Sequence, residues 1–286
     1  MALAAWRLAA SAKRTEALPY FYLFLAAAIW GFAFVAQRVG MRSLDPFSFN
    51  AIRFALGALF VWLLAGHKAK KAKALPWELG IVLFIAATLQ QVGIMYTGAG
   101  AAGFITGLYV VVVPVLGIYR KQKIRKQDLV AIVLALLGML LINRPGDLSA
   151  TFGNLLVFIG ALFWALHVQL VDWYASRHDT SSLAFFQFGV CAGLSAIASV
   201  IFSVLTGRGI MPLSGFGDGV YMALWPLIYG GILSVGIAFT LQVKAQKDVA
   251  PAKAAVILCL EGVFALLGGA LLLHESMDIV VLGGMA

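Results

Sequence analysis

The chain has 286 residues, of which 62% are hydrophobic and 12% charged, whereas a typical soluble domain is about 25% charged. A soluble fold of this length could not bury so much apolar surface, so the composition excludes a soluble globular protein and predicts one that lies in lipid. The net charge of +9 does not indicate a nucleic-acid partner, because the basic residues lie in short loops between apolar segments and form no basic face with interleaved aromatics.

Apolar runs of roughly 20 residues, long enough to cross a hydrocarbon core about 30 Å thick, recur along the chain. In the first half they predict spans at 19–40, 46–65, 76–97, 100–119 and 128–143. In the second half they predict spans at 151–175, 181–205, 219–243 and 250–273. A tenth run begins near Met277 and stops at Ala286, about half-way across a bilayer, so we expect this helix to be truncated. The predicted fold class is an all-α polytopic membrane protein with ten transmembrane helices.

The Lys and Arg residues are distributed unevenly between the two sides of the predicted membrane. Of the 21, four fall in loops on one side, namely Arg38, Arg42, Arg144 and Arg208. Apart from Arg53, which lies inside a span, all the others fall in loops on the opposite side. Because cytoplasmic loops collect positive charge, we expect a cytoplasmic N-terminal segment at 1–18 and a multi-pass protein of the bacterial inner membrane.

The two halves of the chain carry the same landmarks in the same order. Each has a tryptophan within an apolar run, Trp30 or Trp164, followed by a helix-breaking aspartate, Asp45 or Asp179, and 134 residues separate the members of each pair. The sequence therefore divides into two five-helix repeats, 19–146 and 147–286. Because five is odd, the second repeat enters the membrane from the opposite side. Inverted repeats of this kind are typical of secondary transporters that work by alternating access, with the substrate site between the halves.

Three segments resemble the EamA family of the drug/metabolite transporter superfamily: WGFAFV at 30–35, DPFSFNAIRF at 45–54 and AAGFITGLY at 101–109. The resemblance covers essentially the whole chain. It implies ten helices in two repeats, both termini in the cytoplasm, and export of amino acids or related small metabolites. In its ninth helix the family usually has a glutamate-proline step, where this chain has Glu261-Gly262, and later a glycine-glutamate step, where it has His274-Glu275. These departures prevent assignment of a substrate by analogy.

Glu261 is the leading candidate for a substrate-binding or coupling residue. It lies near the middle of the ninth predicted span, where a charged side chain costs roughly 2.5–3.5 kcal/mol on insertion scales. The functional interpretation is contact with a substrate amine or proton coupling. The alternative is a structural carboxyl that caps a broken helix or binds a neighbour.

Arg53 and Gln187 are also separated by 134 residues, at mirrored depths, so they are candidate polar latches at two gates. Arg53 has a second interpretation as an anchor for neighbouring backbone carbonyls. Pro114 is a candidate hinge, because its span also carries the glycine pair Gly103 and Gly107.

Several further polar and aromatic side chains are predicted to line a central pocket that is mostly apolar with few polar groups, as small-molecule sites usually are. These are Trp30, Gln90, Gln91, Tyr96, Tyr109, Trp164 and His167. For any one of them, ordinary hydrogen bonding between helices is the alternative, and for His167 so is a proton relay.

The sequence contains no motif for ATP, dinucleotide, zinc or serine-hydrolase chemistry, which predicts no cofactor, no metal and no enzymatic activity. Cys191 and Cys259 are interpreted as small packing residues. The expected partners are a small-molecule substrate and the lipid bilayer, and a homodimer stays open. Two alternatives to a transporter also stay open: a membrane enzyme with Glu261 and His167 as an acid–base pair, and a transport-inactive sensor or assembly subunit.

Overall fold

The computed structural model describes residues 2–66, 76–120, 130, 148–207 and 218–275. Within these ranges eight segments are helical and apolar enough to cross a membrane: Ala17–Gly40, Pro46–Ala65, Trp77–Ile94, Ala99–Gly117, Ala150–Ala175, Thr180–Thr206, Ala223–Ala245 and Pro251–Leu273. They correspond to the predicted spans one to four and six to nine, and they confirm an all-helical membrane protein. The predicted fifth and tenth spans lie outside the described residues except for residue 130, so the count of ten stays a prediction.

Each half supplies a run of helices, numbered here in chain order. The first half contains α1 (Ala2–Gly40), α2 (Pro46–Ala65), α3 (Trp77–Ile94), α4 (Ala99–Gly107) and α5 (Tyr109–Gly117), with a 3₁₀ turn at Ile118–Arg120. The second half contains α6 (Leu148–Ala175), α7 (Thr180–Thr206), α8 (Asp218–Ile228), a π-helical segment (Tyr229–Phe239), α9 (Thr240–Ala245), α10 (Pro251–Leu258) and α11 (Glu261–Leu273).

The first helix begins earlier than the sequence predicts. The apolar run indicates a start at Pro19, but α1 is helical from Ala2 and carries Pro19 inside it. The alanine-rich stretch before Pro19 favours helix, and a proline removes only one backbone donor from the ladder. Residues 2–18 of the predicted N-terminal segment are therefore helical and continuous with the first span.

The two repeat aspartates each cap the start of the helix that follows them. Asp45 Oδ1 accepts hydrogen bonds from the backbone N–H groups of Phe47 and Ser48, at 2.9 and 3.0 Å. Asp179 Oδ2 accepts one from Ser182 N–H at 3.1 Å. An aspartate at this position satisfies amides that have no partner within the helix. The residues that carry the repeat signal thus cap α2 and α7 equivalently.

The fourth and ninth predicted spans are each broken into two helices near their middle. The first break lies at Leu108, between α4 and α5, and the second at Cys259–Leu260, between α10 and α11. Pro114 lies inside α5, six residues after the break at Leu108. The hinge at Pro114 stays a prediction. Because of the two breaks, Tyr109 and Glu261 are each the first residue of a half-helix.

Packing crosses from one half to the other. Helix α1 packs on α8 to α11 and on the π-helical segment, and its counterpart α6 packs on α3, α4 and α5. Close approach depends on glycine: a Cβ added to Gly31 would lie 2.2 Å from Phe264 Cβ, and one added to Gly103 would lie 2.2 Å from Ala265 Cβ. Gly103 therefore belongs to a helix contact, as its spacing from Gly107 indicates.

Candidate substrate cavity

A cavity of about 40 Å³ lies where the two halves meet. Its lining is Trp30, Phe34, Gln37, Arg53, Gln90, Thr106, Tyr109, Trp164, His167, Val168, Ser234, Phe239, Gln242, Leu258 and Glu261. Both broken helices contribute, because Thr106, Tyr109, Leu258 and Glu261 lie at or beside the breaks. A cavity of this size holds only a few water molecules, so the site is contracted in this conformation.

Aromatic rings form the centre of the lining. The ring of Phe239 lies between the two repeat tryptophans, with centroid distances of 4.6 Å to Trp30 and 5.9 Å to Trp164. The His167 ring is 5.8 Å from both Trp164 and Phe239. Edge and stacked contacts at these distances stabilise the cluster beyond the effect of its buried area alone. Phe239, a residue of the second half, thus joins the two halves through its contact with Trp30 of the first half.

A chain of hydrogen bonds joins three helices on one side of the cavity. Trp164 Nε1–H donates to Gln90 Oε1 at 2.7 Å, and Gln90 Nε2–H donates to Gln37 Oε1 at 3.1 Å. Trp30 makes a different bond, since its Nε1–H donates to the backbone carbonyl of Ser234 in the π-helical segment at 3.0 Å. Within the described residues Gln242 Oε1 has no hydrogen-bond partner. The two tryptophans are therefore bound differently in the two halves.

The cavity is lined by residues related through the repeat. The same 134 residues that separate Trp30 from Trp164 also separate Phe34 from Val168. In the later helices the spacing is 152 residues, which relates the two helix breaks and three further pairs of lining residues. Those pairs are Gln90 with Gln242, Thr106 with Leu258, and Tyr109 with Glu261. Ten of the fifteen lining residues thus belong to repeat-related pairs, as expected for a site on the axis between two halves.

The charged groups of the lining are buried. Glu261 is 4% exposed and Arg53 is 3% exposed. Glu261 lies close enough to Tyr109 for the two side chains to interact, although its Oε1 makes no hydrogen bond to any residue that the structure describes. A carboxyl placed like this inside a membrane protein usually marks a substrate or ion pathway.

His167 is hydrogen-bonded to Gln187, the second residue of the predicted pair of gate latches. Its Nε2 lies 2.8 Å from Gln187 Oε1, and because an amide oxygen only accepts, Nε2 carries a proton in this arrangement. Its Nδ1 has no partner within the described part of the chain. Gln187 is buried behind His167 and does not line the cavity.

Seven of the candidates from the sequence line the cavity: Trp30, Arg53, Gln90, Tyr109, Trp164, His167 and Glu261. Four candidates do not line the cavity: Gln187, described above, and Gln91, Tyr96 and Pro114. Gln91 Nε2–H donates to the Gln37 carbonyl at 3.4 Å and lies behind the lining. Tyr96 is 42% exposed beyond the end of α3, where its ring contacts Phe152. Pro114 is buried within α5, away from the cavity.

Six polar or aromatic lining residues do not follow from the sequence alone: Phe34, Gln37, Thr106, Ser234, Phe239 and Gln242. Gln242 stands 152 residues after Gln90, but the sequence match of Gly103–Pro114 with Pro251–Gly262 gives an offset of 148 residues and does not pair them. The helix starts at Ala99 and Pro251, and those at Tyr109 and Glu261, show an offset of 152 residues. Among the described residues no group of three or more His, Cys, Asp or Glu could hold a metal ion.

Comparisons with known proteins agree with this architecture. The EamA-like transporter family matches residues 17–144 and 151–286, one match in each half. An uncharacterized transporter of Archaeoglobus fulgidus is 32% identical over 255 residues, covering 88% of this chain and 77% of the relative. The uncharacterized inner membrane transporter YedA of Escherichia coli is 27% identical over 280 residues, with 92% and 86% coverage.

A structural comparison supports the fold. One crystal structure superposes with a TM-score of 0.68 at 16% identity and covers 93% of this chain and 92% of its own. Together these matches confirm the family resemblance seen in the sequence.

Proposed function

Because the chain belongs to the EamA-like transporter family, which is a family of transporters and not of enzymes, we propose that it exports amino acids or related small organic metabolites. Transport proceeds by alternating access of two inverted five-helix halves, 19–146 and 147–286. The cavity between them is the substrate site, with Glu261 as its binding or coupling carboxyl and Trp30, Tyr109, Trp164 and His167 as contacts.

The observation that supports this proposal is the composition of the cavity lining. Side chains from both halves converge there in repeat-related pairs, and both broken helices end beside it. Broken helices at a repeat interface are a common way to build a midplane binding site in secondary transporters. At about 40 Å³ the cavity must widen before it accepts an amino acid, as a site that alternates between two openings does.

The orientation proposed for the chain is an N-terminus in the cytoplasm of a bacterial cell, in the inner membrane as described for the Escherichia coli relative. The excess of Lys and Arg in the loops assigned to the cytoplasm supports it. An Arg42→Cys variant, in a background without Cys191 and Cys259, tests it. A membrane-impermeant thiol reagent should label intact cells, and labelling only after lysis would reverse the orientation.

Counterflow into proteoliposomes tests the transport itself. Vesicles containing the purified protein are loaded with unlabelled amino acids and diluted into a labelled pool. Accumulation in loaded vesicles, and not in empty ones, establishes transport and identifies the substrate class. Conversion of a labelled compound would favour an enzyme, and saturable binding without movement would favour a sensor.

Glu261→Gln then separates binding from coupling. If the carboxyl carries a coupling proton, the variant retains counterflow and loses uptake driven by a pH gradient. If the carboxyl binds the substrate amine, both activities fall by about tenfold or more, the effect of losing a charge-assisted hydrogen bond. The matched control is Glu78→Gln, an exposed carboxyl on α3 that is hydrogen-bonded to Tyr174. Full activity of Glu261→Gln in both assays would remove Glu261 from the mechanism.

A further inference from the structure

The Arg53 guanidinium is a buried cation without a carboxylate partner in the described part of the chain. Its Nε–H donates to Asn50 Oδ1 at 2.9 Å, and no described residue binds its two Nη groups. The guanidinium carbon lies 4.9 Å from the centre of the Phe54 ring and 5.6 Å from that of Phe49. These aromatic contacts offset part of the cost of burial. They leave the donors at the end of the side chain unused.

The cavity lining contains one carboxylate, and it does not neutralise this cation. Arg53 and Glu261 both line the cavity and form no ion pair with each other. Glu261 Oε1 also lacks a hydrogen-bond partner among the described residues. The lining therefore presents a permanent cation and a separate acidic group to whatever enters.

The related position in the second half shows that a structural contact here does not require a charge. Gln187 stands 134 residues after Arg53, and this neutral amide binds His167 within the protein. Of these two related residues only Arg53 carries a guanidinium, and only Arg53 lines the cavity. A guanidinium adds a fixed positive charge and a planar pair of donors that matches a carboxylate.

We propose that Arg53 is the subsite for the anionic end of the cargo, and that the cargo carries a carboxylate. The Nη groups donate two parallel hydrogen bonds to it, and an ammonium group on the same molecule would face Glu261. This inference rests on the proposed function for the location of the site. It replaces the latch or anchor interpretation of Arg53 and narrows the cargo to small organic anions and zwitterions.

The test compares each acid with its own primary amide, which has nearly the same shape without the charge. Counterflow is measured for labelled amino acids and for the matching amino-acid amides in the wild type, Arg53→Gln and Arg53→Lys. Arg177→Gln is the matched control, because Arg177 lies outside the spans and stacks on Trp173, with the guanidinium carbon 3.7 Å from the ring centroid.

We expect the wild type to prefer the acid by about tenfold, the effect of one charge-assisted pair. Arg53→Gln should lower uptake of the acid far more than uptake of the amide, so that the ratio of acid to amide uptake falls to about one, and Arg53→Lys should give an intermediate ratio. Equal uptake of acid and amide by the wild type would overturn the proposal, and this comparison needs no variant that might misfold. A preference that survives in folded Arg53→Gln would overturn it as well.

Failure of the proposed amino-acid export gives a different result from failure of the subsite. If the wild type moves no amino acid, the export proposal falls, and the subsite is tested by the thermal stability of the detergent-solubilised wild type with lactate or lactamide. Stabilisation by the acid alone, lost in Arg53→Gln, supports the anion subsite. Equal or absent stabilisation by the two compounds overturns it.

Discussion

Trp164 is held in the cavity lining by a single hydrogen bond from its indole Nε1–H to Gln90 Oε1, at 2.7 Å. Trp164→Phe removes the donor, keeps an aromatic ring and leaves a buried acceptor without its partner. We expect a loss of about 1–3 kcal/mol in stability, the cost of an unsatisfied buried group, and slower counterflow. Thermal denaturation in detergent measures the first effect. Trp225→Phe, at a side chain that is 44% exposed, is the control and should change neither quantity.

Single residues could be predicted where their chemistry is out of place in lipid. Glu261 and Arg53 stand out because charge is expensive inside a span, and Trp30 and Trp164 stand out because they repeat. Phe239 could not be predicted, because one phenylalanine among 20 in an apolar chain carries no sign that it lies between two tryptophans. Gln37 is missed for a related reason: it lies near the end of a span, where a polar residue is ordinary.

At the scale of helices, the contact between α1 and α11 depends on the absence of a side chain at Gly31. A Cβ there would lie 2.2 Å from Phe264 Cβ and 2.7 Å from the Glu261 carbonyl oxygen. Gly31→Ala must therefore push the helices apart, and we expect a loss of about 1–3 kcal/mol, typical of overpacking. Gly189→Ala is a matched control, because nothing described lies within 4 Å of its added Cβ. Equal denaturation midpoints for the two variants would contradict this packing.

The start of α4 is bound by Glu275, which lies two residues beyond the end of α11. Glu275 Oε1 accepts from Ala99 N–H at 2.8 Å, and Oε2 accepts from Gly100 N–H at 3.1 Å. A carboxylate at a helix N-terminus is favourable both as an acceptor and as a charge. Glu275→Ala should therefore cost about 1–2 kcal/mol in stability, measured by denaturation in detergent. The exposed loop carboxyl Asp248 provides the control as Asp248→Ala, and an equal loss there would refute a capping role.

Helix boundaries were predictable where a cap marks them and unpredictable where none does. Asp45 and Asp179 signal the starts of α2 and α7 in the sequence, and the structure has both helices beginning there. The breaks at Leu108 and Cys259–Leu260 contain no proline, and Pro114, the proline nearest to the first break, lies six residues beyond it. The sequence therefore carries no direct signal for the position of either break.

At the scale of the molecule, the two halves are related by sequence but not in the same state. Trp164 binds the Gln90 side chain, whereas Trp30 binds the Ser234 carbonyl although Gln242 occupies the position related to Gln90. In an alternating-access transporter the halves exchange conformations when the site opens to the other side. We therefore expect Trp30 Nε1–H to bind Gln242 in the opposite conformation, while Trp164 releases Gln90.

This exchange predicts that two related substitutions shift the conformational equilibrium in opposite directions. Gln90→Leu removes a bond made in the present conformation, and Gln242→Leu removes one made only in the other. Each bond is worth about 0.5–1.5 kcal/mol, so each variant should change the population ratio by about 2- to 12-fold. Stability alone would not reveal this, because both variants lose buried polar contacts.

The measurement uses one reporter cysteine near each end of the molecule, after replacement of Cys191 and Cys259 by alanine. Thr97→Cys and Val249→Cys are suitable reporters, because the two positions are 152 residues apart and are 5% and 3% exposed. Gln90→Leu should raise the thiol-labelling rate at one reporter and lower it at the other, and Gln242→Leu should do the reverse. Changes in the same direction in both variants would show that the two glutamines only stabilise the fold, and the exchange of bonds would have to be abandoned.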